Sequence, residues 1–223
     1  MDITTIVEII SAVGALGTAA TGLVDTTKLF SGGVSNAGYS AIRQQLAPFD
    51  TLLDAIPESA AYTTIYGLWI NGAALDDQKA KAKALIKLGF SPNTVNAMGA
   101  ATGLPVTALT PLAVNIAAGA DLTPAQVNIY GQLDAVLSAV IDGAYEKADQ
   151  RYRNAAKGLA AAIAIALALI GGYAVDQKDW GTYWLLYLVI GAIATPLAPV
   201  AKDITTAINT AVQNSGQIRA LLK

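Results

Sequence analysis

Residues 158–175 read GLAAAIAIALALIGGYAV, and residues 180–201 read WGTYWLLYLVIGAIATPLAPVA. Neither run contains Asp, Glu, Lys or Arg, and only the short stretch Asp176–Asp179 separates them. At ~1.5 Å per residue the runs reach roughly 27 and 33 Å as helices, enough for a ~30 Å hydrocarbon core. So short a connection forces them to lie antiparallel. Tyr173, Trp180, Tyr183, Trp184 and Tyr187 all fall at the loop end, where amphipathic rings favour the headgroup layer and form an interface belt. The pattern predicts a transmembrane helical hairpin over 158–201. The competing reading is a hairpin buried in a soluble all-α domain, because the first run is rich in weakly lipophilic Ala. Pro196 and Pro199 are expected to end or bend the second helix.

Composition points the same way. Charged residues make up 13% of the 223, about half the ~25% usual in soluble domains, while 54% are hydrophobic. The formal net charge of −2 and a pI near 5.0 argue against a nucleic-acid partner. Cysteine and histidine are both absent, which excludes disulfides, thiolate catalysis and imidazole as ligand or base. The sequence contains no P-loop, dinucleotide glycine fingerprint, GxSxG elbow or carboxylate-rich metal loop. No catalytic residue, cofactor site, metal site or small-molecule substrate is therefore expected.

A third candidate span runs from Ile3 to Val24, with Glu8 as its one charge. Thr4, Glu8, Ser11, Ala15, Thr18 and Gly22 recur at helical spacing, giving a small or polar face on which another transmembrane helix could pack. Gly171 and Gly172 are read the same way. The Met1-Asp2 start lacks the basic region of a signal peptide, so an uncleaved span is expected. The alternative is an amphipathic helix buried in protein. Glu8, as a possible intramembrane acid, is a candidate for ion or proton handling. Its place near the helix start also suits an interfacial role, helped by the macrodipole.

Residues 35–157 read as a polar helical extramembrane domain, and 202–223 as an amphipathic tail. Apolar residues at 42, 46, 49, 52, 53 and 56 predict a helix over Tyr39–Ile56 that Pro48 divides and Pro57 stops. A second segment is expected from Glu58 to Leu75, then a helix opened by Asp76 and Asp77 and closed at Gly89. Ser91-Pro92, Thr110-Pro111 and Thr123-Pro124 each look like a cap followed by proline, predicting three helix starts. The last is expected to run through the basic stretch into the hairpin. Lys79, Lys83 and Lys87 share one helix face, read as solvated rather than as a DNA-binding or headgroup-binding patch.

Lys147, Arg151, Arg153 and Lys157 precede the hairpin, and Lys202, Arg219 and Lys223 follow it, against little positive charge elsewhere near the spans. This bias places the middle domain and tail in the cytoplasm, most simply at a bacterial inner membrane. The expected protein is an all-α integral membrane protein, a non-catalytic structural or accessory subunit. Its partners would be lipid and other subunits or copies of itself. The alternatives are a pore-forming or translocation protein, such as a phage genome-ejection protein carried in a virion, and a membrane enzyme lacking His and Cys.

Overall fold

The computed structural model of the chain describes residues 3–27, 32–56, 60–175 and 177–221; side chains are described from Thr5 to Asp203 within these ranges, and at Thr206. The described residues are all-helical in class, joined by turns, with no strand among them. In order the helices are α1 (Ile3–Thr26), α2 (Ser35–Leu46), α3 (Asp50–Asp54), α4 (Ala60–Ile70), α5 (Leu75–Leu88), α6 (Val95–Thr102), α7 (Val106–Ala118), α8 (Pro124–Val175) and α9 (Trp180–Leu221). The chain forms two compact units, one of Met1–Ser31 with Asn154–Lys223 and one of Gly32–Arg153.

In the Gly32–Arg153 unit, Pro48 does divide its segment: α2 stops at Leu46, a 3₁₀ turn covers Ala47–Phe49, and α3 follows. Ile42, Leu46, Phe49, Leu52, Leu53 and Ile56 are all buried, as their spacing requires. Pro57 and Glu58 lie outside the described residues. The next helix ends earlier than expected, at Ile70 rather than Leu75. Gly72 takes φ +67°, its N–H bonds to the Trp69 carbonyl, and Ala73 N–H bonds to Leu68 O at 3.1 Å. That left-handed cap satisfies the last carbonyls and releases Leu75 to begin α5. α8 presents Leu133, Leu137, Ile141, Tyr145 and Ala148 to the core, one residue per turn. Each buried Leu or Ile on that stripe contributes roughly 1.5–3 kcal/mol. Burial pushes the Tyr145 hydroxyl up to about 12.

The three Ser/Thr-Pro sites divide sharply. At Thr123-Pro124 the expectation holds: α8 starts at Pro124, Gln126 N–H donates to Thr123 Oγ1, and Gln126 Oε1 accepts from Thr123 N–H at 2.8 Å. This is a reciprocal capping box. At Ser91-Pro92 a turn intervenes, and α6 begins only at Val95. Thr94 Oγ1 accepts from Ser91 N–H and donates to the Gly89 carbonyl, stabilising that turn instead. Thr110-Pro111 lies inside α7, where Thr110 donates back to the Val106 carbonyl. Pro105 has already supplied the extended residue that opens α7.

Candidate functional site

Three helices are long and apolar enough to cross a membrane by length and composition: Thr5–Thr26 in α1, the later part of α8, and Trp180–Asp203 in α9. Only 17% of the most apolar window of each is buried. These windows are thus mostly uncovered by the described residues of this chain, which is compatible with a membrane location. Large side chains such as Leu185 and Leu186 in α9 and Ile170 in α8 point outward.

Inside the Met1–Ser31, Asn154–Lys223 unit the helices meet through small residues. Ala160, Ala164, Ala168 and Gly172 form a buried row on α8, four residues apart. Gly191 sits so close to α8 that a Cβ there would fall 2.4 Å from the Ile165 Cα. A Cβ on Gly17 would lie 2.1 Å from the Ala194 carbonyl oxygen, and one on Gly14 would strike the Ala201 methyl. Backbones this close are what Gly and Ala permit.

The residues of α1 on this contact are Val13, Gly14, Gly17 and Ala20, all buried, and Val24 farther along the same face is buried too. The face formed by Ser11, Ala15, Thr18 and Gly22 does not make it. Ser11 is half-buried, Ala15, Thr18 and Gly22 are exposed, and no atom would meet a Cβ on Gly22 within 4 Å. The expected spacing recurs on the contact face displaced by two residues, about 200° around the helix. Both faces are small, so pattern alone did not choose between them. The glycine pair divides likewise. Gly172 is buried against the Tyr187 ring, whereas Gly171 is exposed in open space. Thr18 and Thr21 hydroxyls donate to the Gly14 and Gly17 carbonyls at 3.0 and 2.8 Å, so neither needs water.

The aromatic residues near the hairpin loop form a cluster and a fringe. Trp180 stacks on Tyr187 at 5.8 Å and meets Tyr173 edge-on at 5.7 Å, while Tyr183 and Trp184 point outward. Asp176 lies outside the described residues. Glu8 is exposed on the first half of α1. Pro196 and Pro199 do not end α9, which continues to Leu221, so residue 201 is no element boundary. Each proline lacks the N–H that would bond four residues back, to Ala192 and Thr195. The tail's side chains beyond Asp203, Thr206 apart, are not described. An apolar groove of about 360 Å³ runs beside α1, bordered by Ile9, Leu16, Gly171, Val175 and Tyr187.

The lysine row on α5 is not a free positive face. Lys79 pairs with Asp142 at 3.0 Å, and Lys83 reaches Asp134 at 3.2 Å and Ser138 at 3.1 Å. Lys87 pairs with Asp134 and hydrogen-bonds Tyr130, lying 4.7 Å from that ring's centre. The Lys87 hydrogen bond, aided by Lys83, holds the Asp134 carboxyl below its usual range. Burial lowers the Lys87 ammonium, but its bonds to Asp134 and Tyr130 outweigh that and leave it raised. Positive charge matched in this way has little left for phosphate. Among the described residues no group of three or more acidic side chains converges as a metal site. Comparison with known proteins finds no match to a protein-family model, a curated protein or a solved structure.

Proposed function

We propose that this chain is a non-catalytic, membrane-embedded structural or accessory subunit that assembles with copies of itself or with other membrane proteins. The observation that carries the reading is the two-faced character of α1. One small face is filled by α9, while the opposite one, Ser11–Ala15–Thr18–Gly22, stays open. Small residues gain little from lipid and much from a second helix. In this reading α1, 158–175 and 180–201 are spans, residues 35–157 stand in the cytoplasm, and the membrane is a bacterial inner membrane. The belt tyrosines and tryptophans mark the outer headgroup level.

The chain has no native cysteine, so single introduced thiols report topology cleanly. A cysteine at Gln177 labels from outside intact cells and one at Asn154 does not; equal labelling overturns the orientation. Ala15→Leu and Gly22→Leu leave insertion intact and break the complex recovered in mild detergent. An unchanged complex in both variants overturns the assembly reading.

A second reading, a pore-forming or translocation protein carried in a virion, is favoured by one further observation. From Leu88 to Ala120 no side chain ionises, and this segment supplies α6 and α7 with Leu88, Val106 and Val114 exposed. Apolar helices beyond the three spans suit a protein that moves between water and lipid. Reconstituted protein whose ion current disappears in Glu8→Gln would establish that reading over the first.

A further inference from the structure

In the Gly32–Arg153 unit a cleft of about 380 Å³ opens beside Tyr39, Tyr62 and Tyr66, with Leu53 below and Arg43 and Asp54 at its rim. The size falls within the range of small-ligand sites. The rings are held in place from behind. Tyr39 meets Tyr66 edge-on at 4.8 Å, Tyr39 Oη donates to the Tyr62 carbonyl at 3.3 Å, and Tyr62 Oη donates to the Asp50 carboxylate. Burial, and then that bond, push the Tyr62 hydroxyl well above its usual range, so it stays a neutral donor. Asp50 is thereby engaged.

Among the described residues the two rim charges, Arg43 and Asp54, have no ion pair. Arg43 lies over the Tyr62 ring, 5.2 Å from its centre, and is itself exposed. An isolated anion would meet Arg43 but be repelled by Asp54. An isolated cation would meet Asp54 and the tyrosine faces but be repelled by Arg43. A molecule carrying both signs satisfies every wall at once.

We propose that this cleft binds a small zwitterion that joins an ammonium group to a phosphate or carboxylate. Arg43 takes the anion through paired N–H donors, while Asp54 and the tyrosine faces take the ammonium. The phosphocholine and phosphoethanolamine groups have this chemistry, whether free in solution or at the head of a lipid. The site is independent of the assembly reading, since it uses residues of the Gly32–Arg153 unit alone.

The test is calorimetric titration of the full chain in an uncharged maltoside detergent with phosphocholine, inorganic phosphate and choline in turn. Phosphocholine is expected to bind about tenfold or more tightly than either half alone. Arg43→Gln and Asp54→Asn are each expected to weaken it about tenfold. Both residues are exposed, so an unchanged circular dichroism spectrum verifies the fold. Phosphate binding as tightly as phosphocholine would make this a plain anion site and overturn the proposal, as would choline doing so. Absence of phosphocholine binding at about 10 mM, or affinity unchanged in both variants, would also overturn it. Repeating the titration in nanodiscs identifies the source. A lipid headgroup as natural occupant blocks phosphocholine in phosphatidylcholine discs and not in phosphatidylglycerol discs, whereas a soluble ligand binds equally in both.

Discussion

Gly17→Ala adds one methyl where α1 meets the backbone of α9. The new Cβ would stand 2.1 Å from the Ala194 carbonyl oxygen and 2.6 Å from its carbon. An ordinary contact needs about 3.5 Å, so the helices must part by more than ~1 Å. The obstacle is backbone and cannot rotate away. A gap of that size forfeits about half the dispersion energy of neighbouring contacts such as those of Val13 and Ala20, and overpacking of this kind costs about 1–3 kcal/mol. The rigid partner places the expected loss toward the top of that range, about 2–3 kcal/mol. Gly22→Ala is the control, with nothing within 4 Å of its Cβ, and should gain about 0.5–1 kcal/mol from helix propensity. Hydrogen exchange of the full chain in detergent, read by mass spectrometry on α1 peptides, reports local opening. Gly17→Ala should speed α1 exchange about thirtyfold or more, and Gly22→Ala should slow it. Unchanged α1 protection in Gly17→Ala, or equal loss in both variants, would refute the packing argument.

Other expectations concern the Gly32–Arg153 unit. Gly89 has an ordinary φ of −77°, yet a Cβ there would lie 1.9 Å from the Leu52 oxygen. Gly89→Ala should therefore cost about 2–3 kcal/mol in urea unfolding, whereas Gly143→Ala, in open space on α8, should gain about 0.5–1 kcal/mol. Thr123→Ala removes half of the capping box and should cost about 1 kcal/mol by the same assay. Because the Asp134 pKa is depressed on folding, its contribution is present above the unfolded value near 4 and lost as pH falls through the folded one. Asp134→Asn should flatten that acid limb, by no more than about 1 kcal/mol because the pair is partly exposed, as unfolding midpoints between pH 5 and 2 would reveal.

The helical class and the three long apolar helices were legible because they depend on local quantities: runs without charge, lengths and periodicity. The caps were legible only in part. Ser91, Thr110 and Thr123 have the same side-chain chemistry, but a cap also needs an extended backbone ahead of the helix. At Thr110 that role had passed to Pro105, and at Ser91 the chain turned once more before α6. The contact face of α1 was missed because Val13–Gly17–Ala20–Val24 and Ser11–Ala15–Thr18–Gly22 are equally periodic and similarly small. The choice is made by Ala194, Ala198 and Ala201, at the far end of the sequence. The lysine row looked solvated for a related reason. Its partner Asp134 lies 47 residues beyond Lys87, and charge complementarity across α5 and α8 leaves no local trace. The tyrosine cleft likewise joins Arg43 on α2 to Tyr62 and Tyr66 on α4, which no motif spans.

The seating of α1 on α9 also has a consequence in time. α1 is synthesised before α9, so Gly14 and Gly17 are made long before Ala194 and Ala201. At roughly 5–20 residues per second, α1 waits on the order of ten to thirty seconds for its partner. Throughout that interval both of its small faces are unfilled. Any helix nearby meets a surface that α9 will later claim. The nascent chain thus exposes for that interval a surface that the finished chain covers.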